Sequence, residues 1–359
     1  MPNFEPGILN LERETSYRAP AWLPGAHAQT VYAALLAPRP RVAYRRERWD
    51  TPDGDFIDLD WVVKPADEAR RFDLTGGNNY TQRPLSDEDP IFGIMEPATV
   101  PLVVLFHGLE GSSRSHYAAA LMAAVRDRGW RGCVAHFRGC SGEPNRLPRA
   151  YHSGDSAEVD WILRRLAARA ARLHAVGVSL GGNALLKWLG ETGASAREVV
   201  DRAAAVSAPV DLTAAGNALD RGFNLVYVRH FLATMKKKAL EKLKRYPRLY
   251  DAAHLRAAST LREFDDLVTA PLHGFRDTDD YWTRASSKPL LRQIAVPTLM
   301  VNARDDPFLP CGALPAPREV SPSVLLEQPE NGGHVGFVTG PFPGRLAWLP
   351  QRVLEFFGA

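Results

Sequence analysis

Short apolar runs alternate with amphipathic stretches between residues 101 and 210. The apolar runs are PLVVLFHG from Pro101, GCVAHFRG from Gly132, LHAVGVS from Leu173 and AAAVSAPV from Ala203, and the amphipathic stretches are 115–128, 156–170 and 180–192. Strands buried on both faces are apolar throughout, and a parallel sheet needs helices to connect its strands. The pattern therefore predicts a mostly parallel, doubly wound α/β sheet with helices on both faces.

The pattern stops after Val210 and resumes at Pro297, followed by VLLEQP at 324–329 and a helical pattern from about 344 to 357. The interruption, about 85 residues, is far longer than the roughly dozen residues that a crossover between parallel strands needs. We therefore predict a helical cap at about 211–295. A set of apolar residues recurs there at helical spacing: Leu225, Val228, Phe231, Leu232 and Met235. This face suits an acyl chain in the site and the core of the cap equally well.

The chain before the alternating region divides into three parts. Residues 1–45 are rich in proline and aromatic side chains, which indicates an extension lying over a domain at 46–359. Alternating apolar residues between Trp49 and Val63, with Asp53-Gly54 as a turn, predict an antiparallel hairpin. Residues 66–98 are polar and show no period, so they predict a surface insertion.

One serine stands where an apolar run ends and a helical stretch begins. Ser179 lies in Gly177-Val178-Ser179-Leu180-Gly181. Glycines two positions before and after a serine permit a tight strand-to-helix turn that presents the hydroxyl at the carboxyl end of the sheet. Ser179 is therefore the predicted nucleophile.

A serine nucleophile needs a histidine base and a carboxylate that orients the histidine. His334 follows the last predicted strand, in a loop with Gly332 and Gly333 beside it. The acid should follow the preceding strand, where Asp305 and Asp306 are adjacent, and they cannot both face one imidazole. We favour Asp306, because hydrolases with this arrangement usually place the acid in an Asp-x-apolar-apolar-Pro run. Asp305 is the second choice, and Asp211 after the strand before that is the third.

An acyl-transfer site also needs two backbone amides that face the developing oxyanion. Leu180 follows the nucleophile and supplies the first amide. The segment His107-Gly108-Leu109-Glu110-Gly111 follows an apolar strand, and its glycines permit an inward turn. We predict Leu109 as the second donor, with an ordinary strand-to-helix turn as the alternative.

Composition narrows the class of partner. The net charge is +3, from 44 Lys and Arg against 41 Asp and Glu, and basic residues are not interleaved with aromatic ones, so nucleic-acid binding is not expected. The three cysteines show no zinc-type spacing, which argues against a metal site and fits a reducing compartment. With no cofactor motif, no signal peptide and no apolar run of about 18 residues, we expect a cytoplasmic protein without cofactor.

Several motifs give the chain a resemblance to a known family. They are Pro24-Gly25-Ala26-His27-Ala28-Gln29-Thr30, the 107–111 segment, Arg138-Gly139-Cys140-Ser141-Gly142-Glu143-Pro144-Asn145, and Tyr151-His152-Ser153-Gly154. Together with the serine, aspartate and histidine segments, they resemble the YheT-like (AB hydrolase type 4) branch of the α/β-hydrolase superfamily. The resemblance implies an α/β-hydrolase fold and an esterase or acyltransferase that acts on short or medium acyl chains or on phospholipids.

The remaining motif residues suggest supporting roles. We interpret His27 and Gln29 as hydrogen-bonded anchors for the N-terminal extension. Arg138 and Tyr151 are expected to order loops beside the site. Cys140 has no neighbouring base in the sequence and is expected to be inert.

Three functions remain open at this point. The leading hypothesis is a serine hydrolase that cleaves carboxylic esters through an acyl-enzyme. The same residues would serve an acyltransferase. The non-enzymatic alternative is a binding scaffold that has the fold but no catalytic activity. A dehalogenase would require aspartate at the position of Ser179. The basic run around Lys236–Arg245 suits a solvated helix face, or transient contact with an anionic membrane surface.

Overall fold

The computed structural model describes residues 15–63 and 100–359. The predicted surface insertion at 66–98 lies outside the described residues, as do the first 14 residues of the predicted extension.

Eight strands form a single sheet with the order β1-β2-β4-β3-β5-β6-β7-β8. They are β1 (Tyr44–Asp50), β2 (Phe56–Val62), β3 (Leu102–Phe106), β4 (Arg131–Ala135), β5 (Leu173–Val178), β6 (Arg202–Val206), β7 (Thr298–Val301) and β8 (Val324–Glu327). β2 pairs antiparallel with β1 and with β4, and the strands from β4 to β8 pair in parallel. The predicted hairpin and the predicted doubly wound parallel sheet are both confirmed.

Helices cover both faces of the sheet. α2 (His116–Asp127) and α11 (Trp348–Gly358) pack on one face, whereas α3 (Ser156–Ala167) and α4 (Leu180–Thr192) pack on the other. Alternate residues of β3 enter the two cores: Val103 lies with α2 and α11, and Val104 lies with α3 and α4. This two-sided burial explains why the strands show apolar runs without alternation.

The chain between β6 and β7 is helical. It contains α5 (Leu212–Leu219), α6 (Leu225–Arg245), α7 (Ala252–Ala257), α8 (Leu261–Phe264), α9 (Ala270–Leu272) and α10 (Thr278–Ala285), and a π-helical turn, Asp265–Thr269, joins α8 to α9. Val228 and Leu232 of α6 are buried with Leu255 of α7 and Phe264 of α8, so these helices have a small core of their own.

The N-terminal segment contains a helix that the sequence analysis did not predict. α1 (Ala26–Leu35) lies between proline-rich stretches, and the first strand begins at Tyr44, inside the segment predicted as an extension. Proline is tolerated just before a helix and after its end, so prolines on both sides do not exclude a helix between them.

None of the described helices combines the length and the apolar character that crossing a bilayer requires.

Candidate active site

Ser179 occupies a strained turn between β5 and α4. Its φ is 53° and its ψ is −122°, a backbone conformation that residues other than glycine rarely adopt. A Cβ atom on Gly177 would lie 2.4 Å from the carbonyl oxygen of Gly181, and a Cβ atom on Gly181 would lie 2.4 Å from the carbonyl oxygen of Phe106. The turn therefore requires glycine on both sides of the serine, as the sequence pattern predicted.

An unbroken chain of hydrogen bonds joins Ser179, His334 and Asp306. The Ser179 Oγ atom lies 2.9 Å from His334 Nε2, and His334 Nδ1 lies 2.9 Å from Asp306 Oδ2 and 3.1 Å from Oδ1. The Asp306 side chain is fully buried and the His334 side chain is 10% exposed. Because the carboxylate can only accept, Nδ1 carries the proton, and Nε2 is left as the acceptor of the serine hydroxyl.

The two other candidate acids lie in different positions. Asp305 turns away from the imidazole, and its Oδ1 accepts a hydrogen bond of 2.9 Å from the Gly333 amide. Burial raises the pKa of Asp305, and the neighbouring Asp306 carboxylate raises it further. Asp211 caps α5 by accepting a hydrogen bond from the Ala214 amide. The structure therefore brings only Asp306 of these three candidates to His334.

Three elements hold the loop that carries His334. The His334 amide donates to Thr30 Oγ1 of α1 over 2.8 Å. The Val335 amide donates to Ser207 Oγ over 3.1 Å, and the Val335 carbonyl accepts from His116 Nε2 over 2.9 Å. With backbone groups on both residues fixed in this way, the imidazole keeps its position relative to Ser179.

The buried His116 should make the folding stability of the protein depend on pH. Burial lowers the pKa of His116 from 6.5 to about 4. Between these pH values the unfolded chain binds a proton that the folded protein does not, so this residue makes stability fall as the pH falls from 6.5 towards 4. Replacing it removes that loss.

We expect the difference in the free energy of unfolding between the parent and His116→Gln to narrow by about 2 kcal/mol when the pH falls from 7.5 to 5. Urea unfolding at several pH values measures this difference. His254→Gln is the matched control, because the His254 side chain is 76% exposed. A difference that stays constant with pH would contradict the burial argument.

The loop after β3 lies directly against Ser179. A Cβ atom on Gly108 would lie 3.1 Å from Ser179 Cβ. The Gly108 amide donates to Tyr117 Oη over 2.8 Å, and the Glu110 amide donates to Tyr151 Oη over 2.9 Å. Between them, the Leu109 amide donates to no residue in the described part of the chain. Leu180 is the first residue of α4, where an amide has no partner within the helix.

His107 fixes the start of this loop. Its Nε2 atom accepts from the Phe137 amide over 3.1 Å, so Nδ1 carries the proton and donates to the Gly108 carbonyl over 2.8 Å. Burial lowers the pKa of His107 to about 3, and the ring is therefore neutral around neutral pH. From the sequence, this histidine beside a strand is expected to be a hydrogen-bonded core or loop residue, and its two ring contacts agree with that expectation.

Comparison with known proteins agrees with the fold and with the family resemblance. Residues 101–341 match the family model described as alpha/beta hydrolase fold. The chain is 39% identical to the putative esterase YheT of Escherichia coli over 334 residues, which cover 92% of this chain and 89% of that protein. This chain belongs to the YheT-like α/β hydrolases.

More distant relatives are named for related activities. Human phospholipase ABHD3 is 28% identical over 96% of this chain and 79% of its own length. The monoacylglycerol lipase of Saccharomyces cerevisiae is 30% identical over 66% of this chain and 55% of its own length. Among solved structures, the Pyrococcus furiosus esterase Pf2001 has a TM-score of 0.51 and 16% identity, covering 90% of this chain and 97% of that one, and supports the fold alone.

Residues of the motifs that carry the family resemblance contact several other parts of the chain. Gln29 is fully buried and its side chain accepts from Tyr17 Oη over 3.4 Å. His27 Nδ1 lies 3.0 Å from Tyr227 Oη of α6. Arg138 is buried among carboxylates and contacts Asp53, Asp55 and Glu158. α1 thus contacts both α6 and the His334 loop.

Aromatic side chains cover His334, and of these the sequence analysis considered only Phe231 as a possible contact of an acyl chain. The Phe308 ring stacks on the imidazole with centroids 4.1 Å apart. Tyr227 and Phe231 of α6 contact Phe308 at centroid distances of 4.9 and 6.2 Å. Of the predicted apolar face of α6, Val228 and Leu232 therefore belong to the core of the helical segment, whereas Phe231 points towards the site.

Two lysines of α6 bind loops of the sheet domain. Lys238 Nζ forms an ion pair of 2.8 Å with Glu110, and Lys242 Nζ donates to the carbonyls of Leu147, Pro148 and Arg149. A solvated helix face and a membrane contact were the two interpretations of this basic run, and neither includes these contacts. The spacing of four residues, which places both side chains on one face of the helix, was the available signal.

Cys140 lies beside Lys238, with 3.5 Å between Sγ and Nζ. Burial raises the pKa of its thiol to about 12, although the Lys238 charge opposes this shift. A neutral thiol is a poor nucleophile, which agrees with the expected inert role. In residues 15–63 and 100–359, no three histidine, cysteine or acidic side chains are grouped as a metal site would need.

Proposed function

We propose that this chain hydrolyses carboxylic esters of short or medium acyl chains, with Ser179 as nucleophile, His334 as general base and Asp306 as the orienting acid. Relatives named esterase, phospholipase and lipase place it in the class of ester hydrolases. The observation that carries the assignment of residues is the continuous hydrogen-bonded chain from Ser179 Oγ to the buried Asp306 carboxylate.

The mechanism uses these groups in order. His334 Nε2 accepts the Ser179 proton while Oγ forms a bond to the ester carbonyl carbon. The carbonyl oxygen becomes an oxyanion, which accepts hydrogen bonds from the Leu109 and Leu180 amides. As the oxyanion reverts to a carbonyl, the bond to the leaving oxygen breaks, and the imidazolium, stabilised by Asp306, protonates that oxygen. Water, deprotonated by His334, then attacks the acyl carbonyl carbon. The bond to Ser179 Oγ breaks, the imidazolium returns the proton to Oγ, and the carboxylic acid is released.

One feature of the site supports an apolar acyl group. Phe308, Tyr227 and Phe231 form an aromatic wall next to His334. Ligand sites that are lined by aromatic side chains and contain a few polar groups favour apolar substrates oriented by one polar centre. The ester carbonyl supplies that polar centre, and the acyl chain packs against the rings.

An acyltransferase remains the second candidate, because the same residues would transfer the acyl group to an alcohol. The two activities differ only in which nucleophile reaches the acyl-enzyme. A silent scaffold is disfavoured by the intact geometry, since each hydrogen bond that activates a serine nucleophile is present.

Esters of one alcohol with acyl chains of graded length provide the test. We expect kcat/KM to pass through a maximum within the short to medium range, and the acid to be the main product when glycerol or methanol is added. An ester as the main product would favour the acyltransferase. Absence of turnover on every ester, from protein with a normal unfolding transition, would contradict both enzymes and favour the scaffold.

A further inference from the structure

Glu110 is held in an unusual backbone conformation next to the Leu109 amide. Its φ is 54°, in the left-handed region that favours glycine. A non-glycine residue in this region is strained and is retained when surrounding contacts stabilise it. Here those contacts come from two other parts of the chain.

The first contact closes a ring through Tyr151. Tyr151 Oη accepts from the Glu110 amide over 2.9 Å and donates to Glu110 Oε1 over 2.9 Å. The Tyr151 side chain is half-buried, and its ring stacks on Phe137 at a centroid distance of 5.3 Å and an interplanar angle of 10°. Burial raises the pKa of Tyr151 well above its ordinary value, so the hydroxyl keeps the proton it donates.

The second contact comes from α6. Lys238 Nζ lies 2.9 Å from Glu110 Oε1 and 2.8 Å from Oε2, so one ammonium group binds both carboxylate oxygens. Burial alone would lower the pKa of Lys238, but its ion pair and hydrogen bond with the Glu110 carboxylate help to raise that pKa above its ordinary value. The lysine is therefore charged around neutral pH. The Lys242 contacts with residues 147–149 fix the same helix to the segment that contains Tyr151.

We propose that Lys238 and Glu110 are a positioning pair that lets α6 set the orientation of the Leu109 amide towards the oxyanion. The proposal rests on the proposed function, since it assigns a role to residues that support the same site. Neither side chain reaches the reacting atoms in this proposal. They act through the backbone: they fix the peptide plane between Leu109 and Glu110, and that plane is joined at the Leu109 Cα to the plane that carries the Leu109 amide.

The size of the effect follows from how oxyanion donors work. Removing one such donor lowers kcat by roughly 100- to 1000-fold, and a displacement of about 1 Å can cost about 100-fold. A donor that is misoriented but still present should lose less than one that is removed. We therefore expect loss of the Lys238 charge to lower kcat by about 10- to 100-fold.

The test compares variants of the full-length protein. Lys238→Met removes the charge and keeps most of the length of the side chain, and Glu110→Gln keeps the shape of the carboxylate. Lys238→Arg restores a cation. Lys244→Met is the matched control, because Lys244 lies on the same helix and pairs with Glu241 of that helix. Ser179→Ala reports on the proposed function itself.

Kinetic and binding measurements together separate positioning from a general structural role. We expect Lys238→Met to lower kcat and to change KM by less than about 3-fold. It should also weaken binding of a boronic acid by the same factor as kcat, because the boronate adduct of Ser179 presents its oxygen to the oxyanion donors. Binding of the carboxylic acid product should stay near the parent value. Lys238→Arg should recover most of kcat. The Lys238→Met, Glu110→Gln double variant should lose no more kcat than the less active of the two single variants loses.

Some results would overturn the pairing. These are an unchanged kcat in Lys238→Met, an equal loss in Lys244→Met, a loss confined to KM, or losses in the two single variants that multiply in the double variant. If Glu110→Gln fails to fold, Lys238→Met and Lys238→Arg carry the test by themselves, because the Lys238 side chain is 40% exposed and tolerates replacement better. If Ser179→Ala remains active, the proposed function fails. If Ser179→Ala is inactive and Lys238→Met is fully active, only the pairing fails.

Discussion

Ser179→Ala should lower kcat for ester hydrolysis by about a million-fold, which is the loss seen when a serine hydrolase is deprived of its nucleophile. His334 and Asp306 would remain in place in this variant, but without Oγ His334 has no serine proton to accept and no acyl-enzyme can form. Because the three residues act as a unit, His334→Ala should cost about as much, and the double variant should cost little more. Steady-state hydrolysis of the best ester measures all three variants.

Ser156→Ala is the control for this comparison. Ser156 is the first residue of α3, and its hydroxyl donates to Glu191 at the surface. We expect its kcat to match the parent value. If Ser179→Ala kept even a thousandth of the parent kcat, with contaminating activity excluded, Ser179 would not be the nucleophile.

Asp306→Asn should lower kcat by about 10,000-fold, whereas Asp305→Asn should change it by less than about 10-fold. The side-chain amide introduced by Asp306→Asn would offer its NH₂ group or its oxygen to His334, and neither stabilises an imidazolium as a buried carboxylate does. The imidazole could then adopt the tautomer with its proton on Nε2, which cannot accept the serine proton. Asp305→Asn keeps an oxygen for the Gly333 amide, so the loop should retain its conformation.

The pH profile distinguishes the two aspartates further. In Asp306→Asn the remaining activity should depend on hydroxide, because His334 no longer serves as an effective base. Asp305→Asn should keep the parent profile. The reverse order of losses between the two variants would assign the orienting acid to Asp305 and contradict the geometry around His334.

Much of the sheet and of the hydrogen-bonded chain could be predicted because short-range rules govern both. The turn at Ser179 tolerates only glycine at Gly177 and Gly181, so that constraint appears directly in the sequence. Asp306 and His334 each follow a parallel strand, and the carboxyl ends of such strands lie along one edge of the sheet. Choosing between Asp305 and Asp306 needed an analogy, since neighbouring positions in one loop look alike without side-chain directions.

The supporting contacts could not be predicted because they join distant parts of the chain. Thr30 reaches the His334 amide across 304 positions, and Lys238 reaches Glu110 across 128. No local period or turn rule encodes such a pair. The helix α1 was missed for a different reason: the proline content of the surrounding segment indicated extended structure, although the prolines stand outside the helix.

Helical periodicity alone could not predict the separate roles of the residues on the apolar face of α6. Helical spacing correctly grouped Val228, Leu232 and Phe231 on one side, but it could not separate a residue buried among α7 and α8 from one that points towards Phe308. That difference amounts to a fraction of a helical turn, and it depends on how α6 is rotated against its neighbours.

The central claim is that Ser179 forms a covalent acyl-enzyme, and the site of a fluorophosphonate adduct tests it most directly. The parent protein and Ser179→Ala are each treated with the probe, digested and analysed by peptide mass spectrometry. We expect one adduct, on the Ser179 peptide of the parent, whose formation slows when a substrate ester is present, and no adduct on Ser179→Ala. An adduct on another residue, or equal labelling of both proteins, would contradict the claim.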